Sequence, residues 1–154
     1  MSTIILLSTI LLSASGNVSD TFALSVTPER LVAWVQQHHS DIVRATGSEV
    51  VWNRGRRMCV QRATLRGTIW GVLEGTLTAA EDGGYRYACE TAKGELQGGL
   101  RDYQLQVTVK PINGKSQVNI QVRAVVDLRV RDYQVQNRMQ ESLQRVRSLL
   151  QSVS

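Results

Sequence analysis

Few side chains in this sequence have both the type and the spacing that enzyme or metal chemistry requires. His38 and His39 are the only histidines. Adjacent helical residues point about 100° apart, so the pair is poorly placed to hold one metal ion. Nothing places a serine or cysteine beside either histidine as a nucleophile. We therefore expect no metal and no cofactor, and the sequence leaves any catalytic residue unknown.

Cys59 and Cys89 are the only cysteines, and we interpret them as packed thiols rather than nucleophiles. Turns at Arg66–Gly67 and Asp82–Gly83 would place Cys89 opposite Thr76 and separate the cysteines by two strands, roughly 10 Å. A disulfide needs Cα atoms within about 7 Å. We expect no disulfide unless a bulge or another strand order brings the two together.

Glu74 is a candidate for a carboxylate with a perturbed pKa, provided that its face of the strand points inward. It alternates with Leu73 and Leu77, which belong to the more apolar face. We therefore expect the leucines inside and Glu74 at the surface. Gly71 and Gly75 share the apolar face, where they either leave room for a ligand or allow the sheet to curve.

The elements that must position these residues follow from apolar spacing and turn signals. Residues 22–26 predict a short first strand. Thr27 and Pro28 predict the start of a helix, and a second short helix runs from residue 40 to residue 45, where Gly47 ends it. Alternation then predicts strands over residues 48–53, 58–65, 68–79 and 85–91.

The last hairpin has a register that its residues specify. Asn113–Gly114 is a strong signal for a two-residue turn. This turn places apolar residues opposite one another on one face: Val109 with Val118, Val107 with Ile120, Leu105 with Val122, and Tyr103 with Ala124. A wrong register would mix the two faces, so the hairpin has one buried side.

After Asp127 the apolar period changes from two residues to three or four, which predicts a long amphipathic helix. Its apolar stripe contains Val135, Met139, Leu143, Val146, Leu150 and Val153. Such a stripe must pack against an apolar surface, and the buried face of the predicted sheet is the obvious partner.

The N-terminus has the pattern of a signal peptide. The uncharged apolar run Ile4–Leu12 is too short to span a bilayer and is followed by small residues at Ala14 and Gly16. It lacks a basic residue before the run, and the alternative is a hydrophobic arm of a cytosolic protein. We predict cleavage of residues 1–16, a single domain over 17–154, and a secreted or periplasmic location.

The chain has a formal net charge of +5, and Arg54, Arg56 and Arg57 cluster in one segment. A solvated surface of mixed charge is the simplest interpretation, because acidic residues are interspersed throughout. The alternative is a surface for anionic lipid or nucleic acid. Aromatic residues are few, and no specific nucleic-acid motif is present.

The pattern resembles the helix-grip fold of the START-like superfamily, also called the polyketide cyclase/dehydrase and lipid transport superfamily. The resemblance spans residues 22–153 and lacks a diagnostic short motif. It is carried by Val26-Thr27-Pro28-Glu29 with Leu31 and Trp34, the Tyr103–Val109/Val118–Val126 hairpin, and the Val135–Val153 stripe. It implies an α+β fold in which a curved antiparallel sheet of six or seven strands wraps around the C-terminal helix, with two short helices after the first strand.

The resemblance also implies a cavity between the sheet and the long helix. The wall residues expected from it are Trp34, Leu73, Leu77, Tyr103, Leu105, Val107, Ile120, Val122, Met139, Leu143 and Val146. The first hypothesis is an exported protein that binds a small hydrophobic or amphipathic, lipid-like ligand without covalent chemistry. The second is a cyclase/dehydratase-type enzyme, which needs converging polar groups such as Tyr103 with Glu74 or Arg62. The ligand and the oligomeric state are left open.

Overall fold

The computed structural model describes residues 14–64, 67–97, 100–127 and 130–153, with the backbone alone for residues 64 and 92–97. Seven strands form one antiparallel sheet in the order β1-β7-β6-β5-β4-β3-β2. The strands are β1 (Ala14–Leu24), β2 (Glu49–Arg54), β3 (Arg57–Thr64), β4 (Gly67–Ala79), β5 (Tyr85–Gln97), β6 (Leu100–Ile112) and β7 (Lys115–Val126). The helices are α1 (Pro28–Gln37), α2 (His39–Ala45) and α3 (Asp132–Gln151). This is the predicted helix-grip arrangement, with α3 packed on the inner face of the sheet.

The boundaries of the short helices agree with their sequence signals. The Thr27 hydroxyl accepts a hydrogen bond from the Arg30 amide at 3.4 Å, and Pro28 occupies the first turn of α1. Gly47, at φ +95°, follows α2 in a conformation that favours glycine. The two helices therefore lie between β1 and β2, as predicted.

The β6–β7 hairpin has the predicted register. Val109 pairs with Val118, and Tyr103 pairs with Ala124 at the other end. Asn113 and Gly114 have φ values of 51° and 77°, as a turn with two left-handed residues requires. The apolar face of this hairpin forms the centre of the core together with the stripe on α3.

The first strand is longer than predicted. It begins at Ala14 rather than at Phe22, and it pairs with β7 along its whole length up to Leu24. Its inward positions are buried from Ala14 onwards, including Val18 and Phe22. Two of these inward positions, Ala14 and Gly16, fall inside the segment predicted to be a signal peptide, which concealed the start of the alternation. Cleavage of that segment stays a prediction.

The predicted pairing of Cys89 with Thr76 is wrong by one residue. Ala79 pairs with Tyr85, so the β4–β5 loop is longer than two residues, and Cys89 lies opposite Gly75. The Gly84 amide donates to Asp82 Oδ1 at 3.0 Å inside this loop. The longer loop shifts the register by one position.

No disulfide joins Cys59 and Cys89, as predicted, and the expected separation by two strands is present because β4 lies between β3 and β5. Cys59 pairs with Val72 and Cys89 pairs with Gly75. Val72 and Gly75 are three residues apart on β4 and therefore point to opposite faces of the sheet. The two thiols are therefore buried on different faces as well as two strands apart, and both facts exclude a disulfide.

Candidate functional site

A cavity of about 290 Å³ lies between the inner face of the sheet and the N-terminal half of α3. Strands β3, β4, β6 and β7 supply one wall, and α3 supplies the other. Its apolar lining includes Val60, Ile69, Trp70, Leu73, Leu100, Val126, Val130, Val135 and Met139. Its polar lining consists of Ser48, Gln61, Arg62, Tyr103, Gln134 and Arg138.

Small residues leave the space that the cavity occupies. Gly71 on β4 and Ala124 on β7 both line it, and neither fills the gap beneath α3. Gly75 has a different role, because a Cβ added there would lie 3.1 Å from the Tyr87 hydroxyl oxygen. Of the two glycines on the apolar face, Gly71 opens the cavity and Gly75 accommodates a core tyrosine.

Three residues of the predicted wall line this cavity: Leu73, Tyr103 and Met139. Six others lie in the closed core instead: Leu105, Val107, Ile120, Val122, Leu143 and Val146. Trp34 and Leu77 are partly buried at the margin of that core. The open space is therefore nearer to β3, β4 and the start of α3 than the predicted wall residues would place it.

The position of α2 explains this displacement. The Ser142 hydroxyl on α3 donates to the Thr46 carbonyl oxygen at 2.7 Å, and both residues are buried. The α2 end thereby packs directly on α3, and Leu143 and Val146 nearby are fully buried. No amphipathic pattern in α3 alone distinguishes its packed half from the half that borders a cavity.

Tyr103 presents its ring to the cavity, but its hydroxyl oxygen is buried and forms no hydrogen bond of ordinary length and angle with the described residues. Burial raises the pKa of Tyr103 to about 12, although a polar interaction with the Thr46 side chain and the nearby charge of Arg62 act in the opposite direction. The phenol is therefore protonated at neutral pH.

Arg62 and Arg138 bring positive charge to the cavity from two different elements. Arg62 points inward from β3, where its backbone pairs with that of Ile69, and it is half-buried. Burial lowers the pKa of Arg62, and the charges of Arg138 and Arg145 lower it further, whereas Tyr103 and Glu141 act in the opposite direction. The sequence predicts Arg62 only as a possible enzyme residue paired with Tyr103. Arg138 belongs to the polar side of the α3 pattern, which contains no signal that it borders a cavity.

Glu74 lies on the outer face of the sheet, as predicted. Its neighbours across the strands are Arg57 on β3 and Glu90 on β5. No aspartate, glutamate or histidine is found among the described residues that line the cavity. The pairing of Tyr103 with Glu74 that an enzyme would need is therefore not formed, and only the pairing with Arg62 is available.

The two histidines lie apart from the cavity. The His38 ring stacks on Trp34 with centroids 4.5 Å apart, and its Nδ1 lies 3.0 Å from the Trp34 carbonyl oxygen. His39 Nε2 lies 3.5 Å from Asn53 Nδ2. Within the described ranges, no three metal-ligating side chains come together.

Arg54, Arg56 and Arg57 are exposed around the β2–β3 turn, on the rim away from the cavity. The Arg54 guanidinium lies 4.9 Å from the centroid of the Trp52 ring. This geometry is that of a cation–π contact at an exposed site. No helix in the described part of the chain is both long and apolar enough to cross a membrane.

No known protein-family model matches this sequence, and no curated protein matches it. Solved structures do resemble its fold. The START superfamily protein from Mycobacterium smegmatis has a TM-score of 0.61 at 14% identity, covering 88% of this chain and 94% of its own. The STAR-related lipid transfer protein from Xanthomonas axonopodis has a TM-score of 0.60 at 14% identity, with coverages of 88% and 86%.

An enzyme shares the same architecture. Norcoclaurine synthase from Thalictrum flavum has a TM-score of 0.51 at 8% identity, covering 94% of this chain and 91% of its own. Together these likenesses establish a START-like helix-grip fold, as the sequence pattern predicted. They leave the choice between a binding protein and an enzyme to the residues of the site.

Proposed function

We propose that this protein binds a small apolar or amphipathic molecule, non-covalently, in the cavity between the sheet and α3. The observation that carries the proposal is the cavity of about 290 Å³ with a mainly apolar lining. Burial of hydrocarbon supplies the affinity, at about 0.8 kcal/mol per CH₂ group. The lipid transfer protein from Xanthomonas axonopodis, which has the same fold, supports this assignment by analogy.

The volume restricts the size of the ligand. Sites for drug-sized ligands span about 300–1,000 Å³. This cavity lies near the lower limit, which favours a medium-length single chain or a small ring system over a diacyl lipid.

A neutral fluorescent probe tests the proposal. We expect N-phenyl-1-naphthylamine to increase its fluorescence with the purified protein and decanol to displace it. Met139→Trp fills the cavity from α3 and is expected to abolish probe binding. Ile112→Trp adds the same side chain at a position that is 45% exposed, and it serves as the control.

The outcomes separate binding from loss of structure. Circular dichroism checks that both variants fold. A folded Met139→Trp variant that binds the probe as well as the unmodified chain places the probe elsewhere and contradicts the proposal. Absence of any probe or decanol binding by the unmodified protein also contradicts it.

The exposed arginines of the β2–β3 turn favour a second candidate, an anionic surface contacted by this turn. Arg54 and Arg56 are exposed there and pair with no described carboxylate. We expect binding to vesicles containing phosphatidylserine that weakens steeply as salt is raised. The double variant Arg54→Gln/Arg56→Gln should lose this binding, and unchanged binding would eliminate the turn as the contact.

Export is proposed from the N-terminal pattern of an apolar run followed by small residues. N-terminal analysis of the protein recovered from its host tests it directly. A new N-terminus at Asn17, outside the cytoplasm, supports export with the predicted cleavage after Gly16. An intact N-terminus in the cytoplasmic fraction contradicts it.

A further inference from the structure

We propose that the ligand is an anionic amphiphile whose carboxylate or phosphate group binds Arg62 and Arg138 while its hydrocarbon enters the cavity. The inference rests on the proposed binding function and adds the chemical class of the ligand. It depends on the charges that surround the cavity rather than on the cavity itself.

Arg62 is the principal observation. Its side chain lines the cavity and is half-buried, yet no described carboxylate forms an ion pair with it. A buried charge is costly unless it is paired or hydrogen-bonded. Burial lowers the pKa of Arg62 as this cost predicts, but a guanidinium retains its charge in proteins. A ligand anion would supply the missing counter-charge.

Neighbouring arginines increase the excess of positive charge beside the cavity. A Cβ added to Gly47 would lie 2.9 Å from Arg62 Nη2 and 3.1 Å from Arg145 Nη1, so both guanidinium groups border the same glycine. Glu141 is the carboxylate nearby, and its oxygen lies 4.0 Å from Arg138 Nη1 with both side chains more than half exposed. Such an exposed pair contributes little, so among the side chains that the structure describes three arginines are opposed by one weakly engaged carboxylate.

The arrangement separates an apolar region from a cationic one. Leu73, Val135 and Met139 offer hydrocarbon contact in the interior, and Arg138 stands on the exposed side of α3 at the opening. Two guanidinium groups from different elements suit an oxyanion, because their N–H donors match carboxylate and phosphate geometry. A cationic or neutral head group would leave Arg62 without a counter-charge.

The test compares head groups on one chain length. Decanoate, decyl phosphate, decanol and decyltrimethylammonium compete with the neutral probe at constant ionic strength. We expect decanoate or decyl phosphate to bind about tenfold more tightly than decanol. The free energy of a hydrogen bond to a charged group corresponds to about this change in affinity. We expect the cation to bind most weakly. The two anions show whether the source is a carboxylate or a phosphate.

Variants assign the effect to the arginines. Arg62→Gln and Arg138→Gln should each reduce the preference for the anion while retaining decanol binding. Arg86→Gln removes the same charge on the outer face of β5 and should leave the preference unchanged. If Arg62→Gln fails to fold, Arg138→Gln and the salt dependence of decanoate binding still decide.

Failure of this inference differs from failure of the proposed function. Equal affinity for decanoate and decanol, with the probe bound, overturns the anionic assignment and leaves the cavity function intact. An anion preference that survives both folded variants also overturns it. Absence of binding by the probe and by all four competitors contradicts the proposed function itself.

Discussion

Gln136 on α3 forms two hydrogen bonds with the backbone of Asn17 on β1. The Asn17 amide donates to Gln136 Oε1 at 2.9 Å, and Gln136 Nε2 donates to the Asn17 carbonyl oxygen at 3.0 Å. Asp132 Oδ1 accepts from the Ser15 amide at 3.0 Å. Because β1 is an edge strand, these side chains satisfy backbone groups that no strand can pair. Helix α3 therefore closes one edge of the sheet as well as covering its inner face.

The close approach of α3 to β1 depends on Gly16. A Cβ at this position would lie 3.0 Å from the Gln136 backbone nitrogen and 3.0 Å from the Val135 carbonyl carbon. We expect Gly16→Ala to lower the free energy of unfolding by about 1–3 kcal/mol, because backbone atoms cannot yield as a side chain can. The gain of about 0.5 kcal/mol from replacing glycine in a strand is smaller.

Urea denaturation of a chain that retains Gly16 measures this change. Ser19→Ala, at an exposed position of the same strand, is the control and should alter stability by less than about 0.5 kcal/mol. Equal stability of Gly16→Ala and the unmodified chain would show that α3 moves away from β1 at no cost.

The first residues of β1 predict that two chains with different N-termini differ in their free energy of unfolding. A chain that begins at Asn17 lacks Ala14, whose side chain is 2% exposed, and the hydrogen bond from the Ser15 amide to Asp132. We expect it to be less stable by about 1–3 kcal/mol than a chain that begins at Ser13. Denaturation of the two purified chains measures the difference. Indistinguishable midpoints would mean that residues 14–16 contribute nothing to the sheet.

Tyr103 predicts a loss of stability at alkaline pH. Burial raises its pKa to about 12, against about 10 in the unfolded chain. Between these values the unfolded chain releases its proton first, so the unfolded state binds fewer protons and stability falls as pH rises. We expect Tyr103→Phe to make this decline shallower.

At neutral pH the same variant should be as stable as the unmodified chain or more so. The Tyr103 hydroxyl is buried without a hydrogen bond of ordinary length and angle to the described residues, so its removal relieves a desolvation cost. Denaturation at pH 7, 10 and 11.5 measures both effects, and Tyr133→Phe, at a side chain that is 61% exposed, is the control. A marked loss of stability at pH 7 would reveal a hydrogen bond to this hydroxyl.

Cys89 is predicted to be unreactive in the native protein. Its side chain is 0% exposed, and burial raises the pKa of its thiol to about 12. In a Cys59→Ala variant, where Cys89 is the sole thiol, we expect Ellman's reagent at pH 8 to react at least about 100-fold more slowly than in guanidinium chloride. In the denatured unmodified chain both thiols should react without reductant. A denatured chain with no reactive thiol would indicate a disulfide.

Local sequence was sufficient for the order of elements and for one register. The Asn113–Gly114 turn and the alternation on both sides of it specify which residues of β6 and β7 face each other, because a shift by one residue would bury polar side chains. Thr27 and Pro28 likewise mark the start of α1 through bonds made within a few residues. The inward direction of Leu73 and the outward direction of Glu74 follow from the same alternation.

The cavity is a property of the tertiary structure alone. Arg62 and Arg138 come from elements far apart in sequence. Leu143 is fully buried in the core, whereas Met139, one turn earlier on α3, lines the cavity. That difference arises because α2 packs against one half of the helix and leaves the other over small residues of the sheet. A periodic pattern predicts which face of a helix is apolar. An empty volume depends on the distance between that face and its neighbours, and no single segment encodes this distance.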